Sequence, residues 1–263
     1  MKSLGEVLQL STQFLKEKNV DRPRRMAEEL LSHIVHLPRI ELYMNFDRPM
    51  ADPELDLYRS YIVRKAKGEP WQYIVGEVEF YHCRFRVTPA VLIPRPETEI
   101  LVSKIVETMP GTPLEVWDIC CGSGCIGIAL KKARPQWKVT LSDISEEALK
   151  IARENAIKNG VDVTFLQGDL LEPFRGKKSD ILICNPPYVT EEEYAKLDLA
   201  FEPKLALIGG TTFYDRFSKE KLYGKVFFEI GAGMGPHLLH LFPKGKVEKD
   251  WAGHDRFFCL ELE

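Results

Sequence analysis

From about residue 94 onward, segments with the apolar pattern of β-strands alternate with segments that have the apolar spacing of α-helices. Strands are expected at 116–119, 138–141, 163–166, 181–184, 225–230 and 257–260, and helices at 125–133 and 146–159. Strands that alternate with helices predict an α/β fold with a parallel, doubly wound sheet. In such sheets ligands bind at the carboxyl ends of the strands, so functional residues are expected in the loops that follow them.

The first 70 residues have a different pattern, in which apolar residues recur at helical spacing. This region is expected to be a small helical bundle, with Asp21 as the N-cap of its second helix. Two short runs of alternating apolar residues follow and predict a β-hairpin. The expected division is a helical domain at 1–70, a connecting hairpin at 71–93 and an α/β domain at 94–263.

The charge balance, the absence of long apolar runs and the cysteine spacing indicate which partners and which compartment to expect. The formal net charge is -3, whereas proteins that hold nucleic acid through many phosphates usually carry a basic excess, so direct nucleic-acid binding is not expected. No apolar run of membrane-spanning length and no secretory signal pattern is present, so no membrane partner is expected. The six cysteines form no Cys-x-x-Cys pair, which predicts free thiols in a reducing cytoplasm. No metal is expected, and the protein is expected to be a monomer.

A glycine-rich turn follows the first strand of the α/β region and opens the next helix. Gly122 and Gly124 permit a tight turn and a close approach of the backbone to a ligand. The next strand ends at Asp143, where a carboxylate can accept hydrogen bonds from both ribose hydroxyls of an adenosine. Asp118 precedes the turn and Asp169 follows the third strand, so both are candidates to meet the rest of the cofactor.

Two adenosine cofactors fit this arrangement. The glycines at 122, 124 and 127 match the dinucleotide fingerprint, which is typical of an NAD-dependent oxidoreductase. S-adenosylmethionine has no pyrophosphate, and its sulfonium and amino groups are positive, so an acidic residue such as Asp118 beside the turn favours it. We expect cofactor contacts from the turn, from the strand ends and from the loop after the fourth strand: Asp118, Cys120, Gly122, Gly124, Asp143, Asp169, Leu170 and Asn185.

The fourth strand leads directly into Asn185, Pro186, Pro187 and Tyr188, which are the candidate catalytic residues. An amide or aromatic amine nitrogen is a poor nucleophile because its lone pair is delocalised. The Asn185 side-chain carbonyl and the Pro186 backbone carbonyl can accept hydrogen bonds from both N–H protons of such a nitrogen. The prolines fix the backbone, and Tyr188 offers a flat face to a planar group. This pattern predicts methyl transfer to nitrogen, accelerated by positioning and fixed dipoles without a metal.

Four further segments accompany these motifs: 68–76, 79–81, 91–99 and 202–210. Together they resemble the release factor glutamine methyltransferases, the HemK-type family, over nearly the whole chain. The resemblance implies a class I, Rossmann-like methyltransferase sheet with an N-terminal helical bundle and a connecting β-hairpin. It also implies methyl transfer from S-adenosyl-L-methionine, which becomes S-adenosyl-L-homocysteine, to the N5 nitrogen of the glutamine in the Gly-Gly-Gln loop of class 1 peptide-chain release factors. It places Arg95, Glu97 and Thr98 with Asn185, Pro186 and Tyr188 at the substrate.

Two positions depart from the family's pattern. Cys120 stands where the first glycine of the turn is usually written, and its Cβ is tolerable only if the residue has a negative φ. The segment between Gly210 and Lys225 is short for the long helix expected there.

Three alternatives remain open from the sequence. A nucleic-acid amino methyltransferase, acting on adenine N6 or guanine N2, would use the same Asn-Pro-Pro-Tyr motif and would need a basic groove. An NAD-dependent oxidoreductase would need an acid/base pair beside the nicotinamide. A scaffold that binds the cofactor and docks on a translation factor would need no catalysis.

Overall fold

The computed structural model describes residues 2–197 and 199–262. The chain forms two compact units, Met1–Gly76 and Glu77–Glu263. The hairpin belongs to the second unit, and the functional division at 1–70, 71–93 and 94–263 stays a prediction. Over the described residues, none of the helices has both the length and the hydropathy needed to cross a bilayer.

The first unit is helical, as predicted. Its α-helices over the described residues are α1 (Leu4–Glu17), α2 (Pro23–Val35), α3 (Arg39–Leu42), α4 (Asp52–Ala66) and α5 (Trp71–Val75). The apolar stripes of α1, α2 and α4 face one another and form one buried core. The expected cap at Asp21 is wrong. Arg22 occupies the N-cap position with a φ of 45°, and no side chain caps α2. The first helical residue is a proline, which has no N–H to satisfy.

A buried carboxylate links two helices of this unit. Glu28 on α2 is 2% exposed and accepts hydrogen bonds from Arg24 (2.7 Å), Arg39 (2.9 Å) and Tyr43 (2.5 Å). Burial alone would raise the pKa of Glu28, but these donors hold it below its usual range. The ionised group therefore ties α2 to the segment at 39–43.

The second unit has a two-stranded and a seven-stranded sheet. The small sheet is antiparallel and consists of β1 (Glu77–Phe80) and β2 (Cys83–Arg86). The large sheet has the order β5-β4-β3-β6-β7-β9-β8 and consists of β3 (Glu115–Ile119), β4 (Lys138–Asp143), β5 (Thr164–Gln167), β6 (Ile181–Cys184), β7 (Lys225–Glu229), β8 (Lys246–Lys249) and β9 (Asp255–Glu261). The strands β3 to β7 are parallel, and β8 and β9 add an antiparallel edge. The predicted α/β class is confirmed.

Helices connect the strands of the large sheet. They are α7 (Cys125–Ala133), α8 (Glu146–Asn159), α9 (Glu191–Tyr194), α10 (Thr212–Phe217) and α11 (Gly235–Leu241), and α6 (Pro96–Thr108) precedes the first of these strands. The predicted start of α8 is confirmed, since the Ser145 hydroxyl accepts from the Ala148 amide at 3.2 Å. The short segment after Gly210 is also confirmed, because α10 has only six residues.

The strand order places the switch point between β3 and β6, which are adjacent. The chain moves outward from β3 to β5 on one side and from β6 to β7 on the other. All four residues of β6 are buried, as the apolar run predicts for a central strand. The loops after β3 and β6 therefore open the crevice in which such sheets bind ligands.

Two asparagines of α8, one helical turn apart, hold the hairpin. Asn159 donates to the Arg84 carbonyl (2.9 Å) and accepts from its amide (3.3 Å). Asn155 pairs in the same way with Arg86, at 3.0 and 2.6 Å. These side chains form the hydrogen bonds with the backbone of β2 that a neighbouring strand would otherwise form. Asn155 also donates to the Ser123 carbonyl (2.9 Å), so one buried side chain joins the hairpin to the glycine turn.

We expect Asn155→Ala to lower the free energy of unfolding by about 3 kcal/mol, because it leaves buried backbone groups without partners. Asn159→Ala is the matched control on the same helix. It should cost less than about 1 kcal/mol, since water can reach the groups it frees. Denaturant unfolding of both variants measures the difference, and equal losses would contradict the assigned role of Asn155.

Candidate active site

A cavity of about 430 Å³ opens at the carboxyl ends of β3, β4, β5 and β6. This volume lies in the range of small-molecule sites. Its wall contains nine of the predicted site residues: Arg95, Thr98, Cys120, Gly122, Asp143, Asp169, Leu170, Asn185 and Pro187. The fold therefore brings together residues that are widely spaced in the sequence.

The other predicted site residues do not line this cavity: Glu97, Asp118, Gly124, Pro186 and Tyr188. Gly124 packs under the turn with a φ of 78°, and a Cβ there would lie 2.9 Å from the side chains of Ile128 and Leu141. Glu97 lies in the first turn of α6. Direct contacts of these residues with a ligand stay predictions.

Asp143 shapes the glycine turn as well as the cavity wall. Its carboxylate accepts hydrogen bonds from the amides of Gly122 and Ser145, both at 2.9 Å. Burial raises the pKa of Asp143, and the backbone donors, among them these two, oppose that shift. One side chain at the end of β4 thus fixes the turn after β3 and presents a carboxylate to the cavity.

Cys120 differs from its expected conformation. Its φ is 58°, in the left-handed region, so the expectation of a negative φ is wrong. The turn therefore keeps the backbone that a glycine would adopt, at a cost of about 1 kcal/mol for the Cβ. The Cys120 side chain lies near Cys184 at the end of β6. Burial, followed by this contact, raises the pKa of Cys184.

Asp118 lies beneath the turn and is 1% exposed. Its Oδ2 accepts from the Gly127 amide at 2.8 Å, whereas its Oδ1 has no hydrogen-bond partner among the described residues. Burial raises the pKa of Asp118 to about 7, while the Gly127 amide lowers it and Asp143 raises it. A buried carboxyl with an unpartnered oxygen is suited to a positively charged neighbour.

We expect Asp118→Asn to stabilise the ligand-free protein against unfolding at pH 8 and to change its stability little at pH 4. The pKa of Asp118 rises from 3.8 to about 7 on folding, so its ionisation costs stability as the pH rises from about 4 to above 7. The neutral amide avoids that cost, which is at most about 4 kcal/mol. Melting temperatures across pH test this, with exposed Asp162→Asn as the control. A gain that does not depend on pH would contradict the assignment.

Backbone hydrogen bonds to the segment at 207–209 fix the chain directly after the Asn-Pro-Pro-Tyr motif. The Val189 amide donates to the Leu207 carbonyl (2.8 Å), and the Gly209 amide donates to the Val189 carbonyl (3.0 Å). A Cβ on Gly209 would lie 2.2 Å from the Pro187 carbonyl oxygen, so only glycine allows this approach. The motif is therefore a fixed loop with Asn185 at the cavity.

Glu202 connects the loops on two sides of the cavity. It is 5% exposed and accepts from the Arg95 guanidinium (2.5 Å) and from the Ile93 amide (3.1 Å). This ties the segment before α6 to the segment at 203–206, and both line the cavity. Glu202 was not predicted as a site residue, although it begins the segment 202–210 that contributes to the family resemblance.

Asp169 forms an ion pair across the rim of the cavity. Its Oδ2 accepts from Arg216 of α10 at 2.7 Å, and both side chains are partly exposed. Arg216 also lines the cavity and was missed, because the sequence gave no means of placing the short α10. The predicted contact of Asp169 with the adenine or the polar end of the cofactor stays a prediction.

Tyr188 is anchored through its hydroxyl. The hydroxyl donates to Oε1 of Glu229 (3.3 Å), and the Thr98 hydroxyl donates to Oε2 (2.6 Å). Glu229 is 1% exposed at the end of β7. Burial raises the pKa of Glu229, and the hydrogen bond from Thr98 opposes that shift. Glu229 was also missed, although an acidic residue that closes an apolar strand was a usable signal.

Models of known protein families match residues in both units. Residues 96–201 match the family described as "Methyltransferase small domain", and residues 6–76 match the "PrmC N-terminal domain". Among solved structures, the Thermus thermophilus 16S rRNA N2 G1207 methyltransferase (RsmC) is 14% identical with a TM-score of 0.54, over 71% of this chain and 50% of that chain. That likeness shows the same fold.

Two relatives that align over nearly their full length are more similar to this chain than that solved structure is. The release factor glutamine methyltransferase of Leptospira interrogans is 37% identical over 98% of this chain and 98% of its own length. The release factor glutamine methyltransferase of Bacillus subtilis (strain 168) is 39% identical, again over 98% of both chains. With such identity over nearly the full length of both chains, this chain belongs to the family of release factor glutamine methyltransferases.

Proposed function

We propose that this protein transfers a methyl group from S-adenosyl-L-methionine to the side-chain amide nitrogen of the glutamine in the Gly-Gly-Gln loop of class 1 peptide-chain release factors. The observation that carries this proposal is the position of Asn185, which directly follows the buried central strand β6 and lines the same cavity as Asp143 and Gly122. Membership of the family supports the choice of substrate.

The residues around the cavity fit S-adenosylmethionine. The Asp143 carboxylate lies where it can accept from ribose hydroxyls, and Gly122 leaves room for close approach of the backbone. Asp118 would stabilise the positive end of the cofactor from beneath the turn, since its Oδ1 lacks a partner among the described residues. When bound, the cofactor supplies an electrophilic methyl group and leaves as S-adenosyl-L-homocysteine.

The protein's own contribution is to position and polarise the glutamine amide. The Asn185 side-chain oxygen and the Pro186 carbonyl accept hydrogen bonds from the two N–H groups, which stabilises the positive charge that develops on nitrogen during attack. Pro187 fixes the loop, and the Tyr188 ring supports the planar amide. Arg95, Glu97 and Thr98 form the substrate-facing side of the same site.

The relatives weigh against the alternatives left open by the sequence. A nucleic-acid amino methyltransferase shares the motif, but the full-length relatives are named for glutamine in a release factor. An NAD-dependent oxidoreductase and a non-catalytic scaffold both disagree with a family of methyltransferases. A monomer in the cytoplasm that makes no direct contact with nucleic acid stays part of the proposal.

A labelled-methyl assay tests the proposed function. The protein is incubated with labelled S-adenosylmethionine and, in parallel, with a purified class 1 release factor, ribosomal RNA or duplex DNA. Label should enter the release factor alone, and it should not enter a release factor in which the loop glutamine is replaced. Label in either nucleic acid and none in the release factor would contradict the proposal.

A further inference from the structure

The Asn-Pro-Pro-Tyr motif is held in place by a residue outside it. We propose that Glu229 is a positioning residue for methyl transfer, which fixes the ring of Tyr188 against the substrate amide. This inference rests on the proposed function and adds a residue that the motif does not contain.

The sheet brings Glu229 to the motif. In the register of β6 and β7, Cys184 pairs with Phe228, so the next residues along the two strands, Asn185 and Glu229, reach the same edge side by side. The Glu229 backbone is held as well, because β7 pairs with β9 at this point and Glu229 lies opposite Phe257. The carboxylate therefore projects from a fixed strand end.

The hydroxyl of Tyr188 is engaged on both sides. It donates to Glu229, while Arg256 of β9 donates to it at 3.4 Å. Arg256 is itself held by Asp250 at 3.2 Å, and the Asp250 side chain is 4% exposed. With an acceptor on one side and a donor on the other, the hydroxyl determines the orientation of the ring. Its role is to hold the ring rather than to exchange a proton.

The same carboxylate orients the start of α6. Its second oxygen accepts from Thr98, which lines the cavity one turn after Arg95. Glu229 thus connects the ring on which the amide lies to the helix that forms the substrate-facing side. A shift of the carboxylate would displace both elements together.

Stability alone does not account for a carboxylate at this place. A buried ionised group pays a desolvation penalty, and a neutral group of similar volume is often as stable or more stable. Burial raises the pKa of Glu229, so its ionised form carries a desolvation cost in the folded protein. A role in orientation explains the group, and it predicts that stability and turnover respond in opposite directions when the charge is removed.

The test compares wild type, Glu229→Gln, Tyr188→Phe and the double variant in the labelled-methyl assay. Either single change should lower kcat by about tenfold to a hundredfold, because the ring is no longer held in place. The KM for S-adenosylmethionine should change by less than about threefold, since neither residue lines the cavity. The double variant should be no slower than the slower single variant, because both changes remove one interaction.

Tyr214→Phe is the matched control. It removes a buried hydroxyl that contacts the Glu229 backbone and leaves the carboxylate pair with Tyr188 intact. Its kcat should equal that of wild type. The melting temperature of Glu229→Gln should equal or exceed that of wild type. A wild-type kcat in Glu229→Gln, or additive losses in the double variant, would overturn the inference.

A second readout separates this inference from the proposed function. Fluorotyrosine is incorporated, and the fluorine signal of position 188 is identified by its loss in Tyr188→Phe. That signal should shift in Glu229→Gln and stay in place in Tyr214→Phe. If wild type transfers no methyl group to a release factor, the proposed function fails, and the fluorine signal alone decides the role of Glu229. An unchanged signal would overturn it.

Discussion

Asn185→Ala is expected to lower the rate of methyl transfer by a factor of about 100 to 1,000 while binding of S-adenosylmethionine stays within about threefold of wild type. The substitution removes one of the two proposed acceptors for the glutamine N–H groups. Loss of one fixed hydrogen-bonding group at a developing charge costs a factor of about 100 to 1,000 in kcat. The glycine turn and Asp143 are unchanged in this variant, so the cofactor should still bind.

Two measurements separate chemistry from binding in this variant. Single-turnover transfer of labelled methyl reports the chemical step, and calorimetry reports the affinity for S-adenosylmethionine. Asn185→Asp is the matched control, since it keeps the volume and an acceptor oxygen and should retain more transfer than alanine. A single-turnover rate for Asn185→Ala within tenfold of wild type would contradict the role given to this residue.

Asp143→Ala is expected to weaken binding of S-adenosylmethionine by about 30- to 100-fold, with kcat at saturation largely kept. The substitution removes the carboxylate that lines the cavity and accepts from the Gly122 and Ser145 amides. Loss of hydrogen bonds to a charged group costs about 2 to 3 kcal/mol, which corresponds to this change in affinity.

The control for this variant is Asp143→Asn. It can still accept from one backbone amide but carries no charge, so its affinity should lie between wild type and alanine. Calorimetry gives the dissociation constants, and the assay gives kcat with saturating cofactor. An affinity of Asp143→Ala within threefold of wild type would limit Asp143 to shaping the turn.

The two substitutions should leave opposite kinetic signatures. Asn185→Ala should lower kcat at unchanged cofactor affinity, which marks an interaction made in the transition state. Asp143→Ala should raise the cofactor KM at nearly unchanged kcat, which marks binding that is equal in ground and transition states. If the same residues both bound the cofactor and stabilised the transition state, each substitution would change kcat and the cofactor KM together.

Elements with strong local signals were predictable from the sequence. The observed bounds of α7 and α8 match the prediction because apolar spacing and the Ser145 cap determine them locally. The strand β6 matches because its apolar run is short and is closed by Asn-Pro. The strand β8 was not predicted, since Lys246–Lys249 is a short, largely polar strand at the sheet edge.

The residues of the candidate site also fall into a group that the sequence could predict and a group that it could not. Asp143 and Asn185 follow predicted strands of a doubly wound sheet, so their place at one edge could be inferred from topology. Glu202 and Glu229 act through partners that are 107 and 131 residues away in the chain, Arg95 and Thr98. Pairs of this kind depend on how the strands and loops pack in three dimensions. Periodicity carries no information about that packing.

Mass spectrometry of a class 1 release factor, incubated with this protein and S-adenosylmethionine, tests the central claim most directly. The account predicts a gain of one methyl group on the glutamine of the Gly-Gly-Gln peptide, and a much slower gain with Asn185→Ala. An unmodified glutamine, in a reaction where calorimetry shows that the protein binds S-adenosylmethionine, would contradict it.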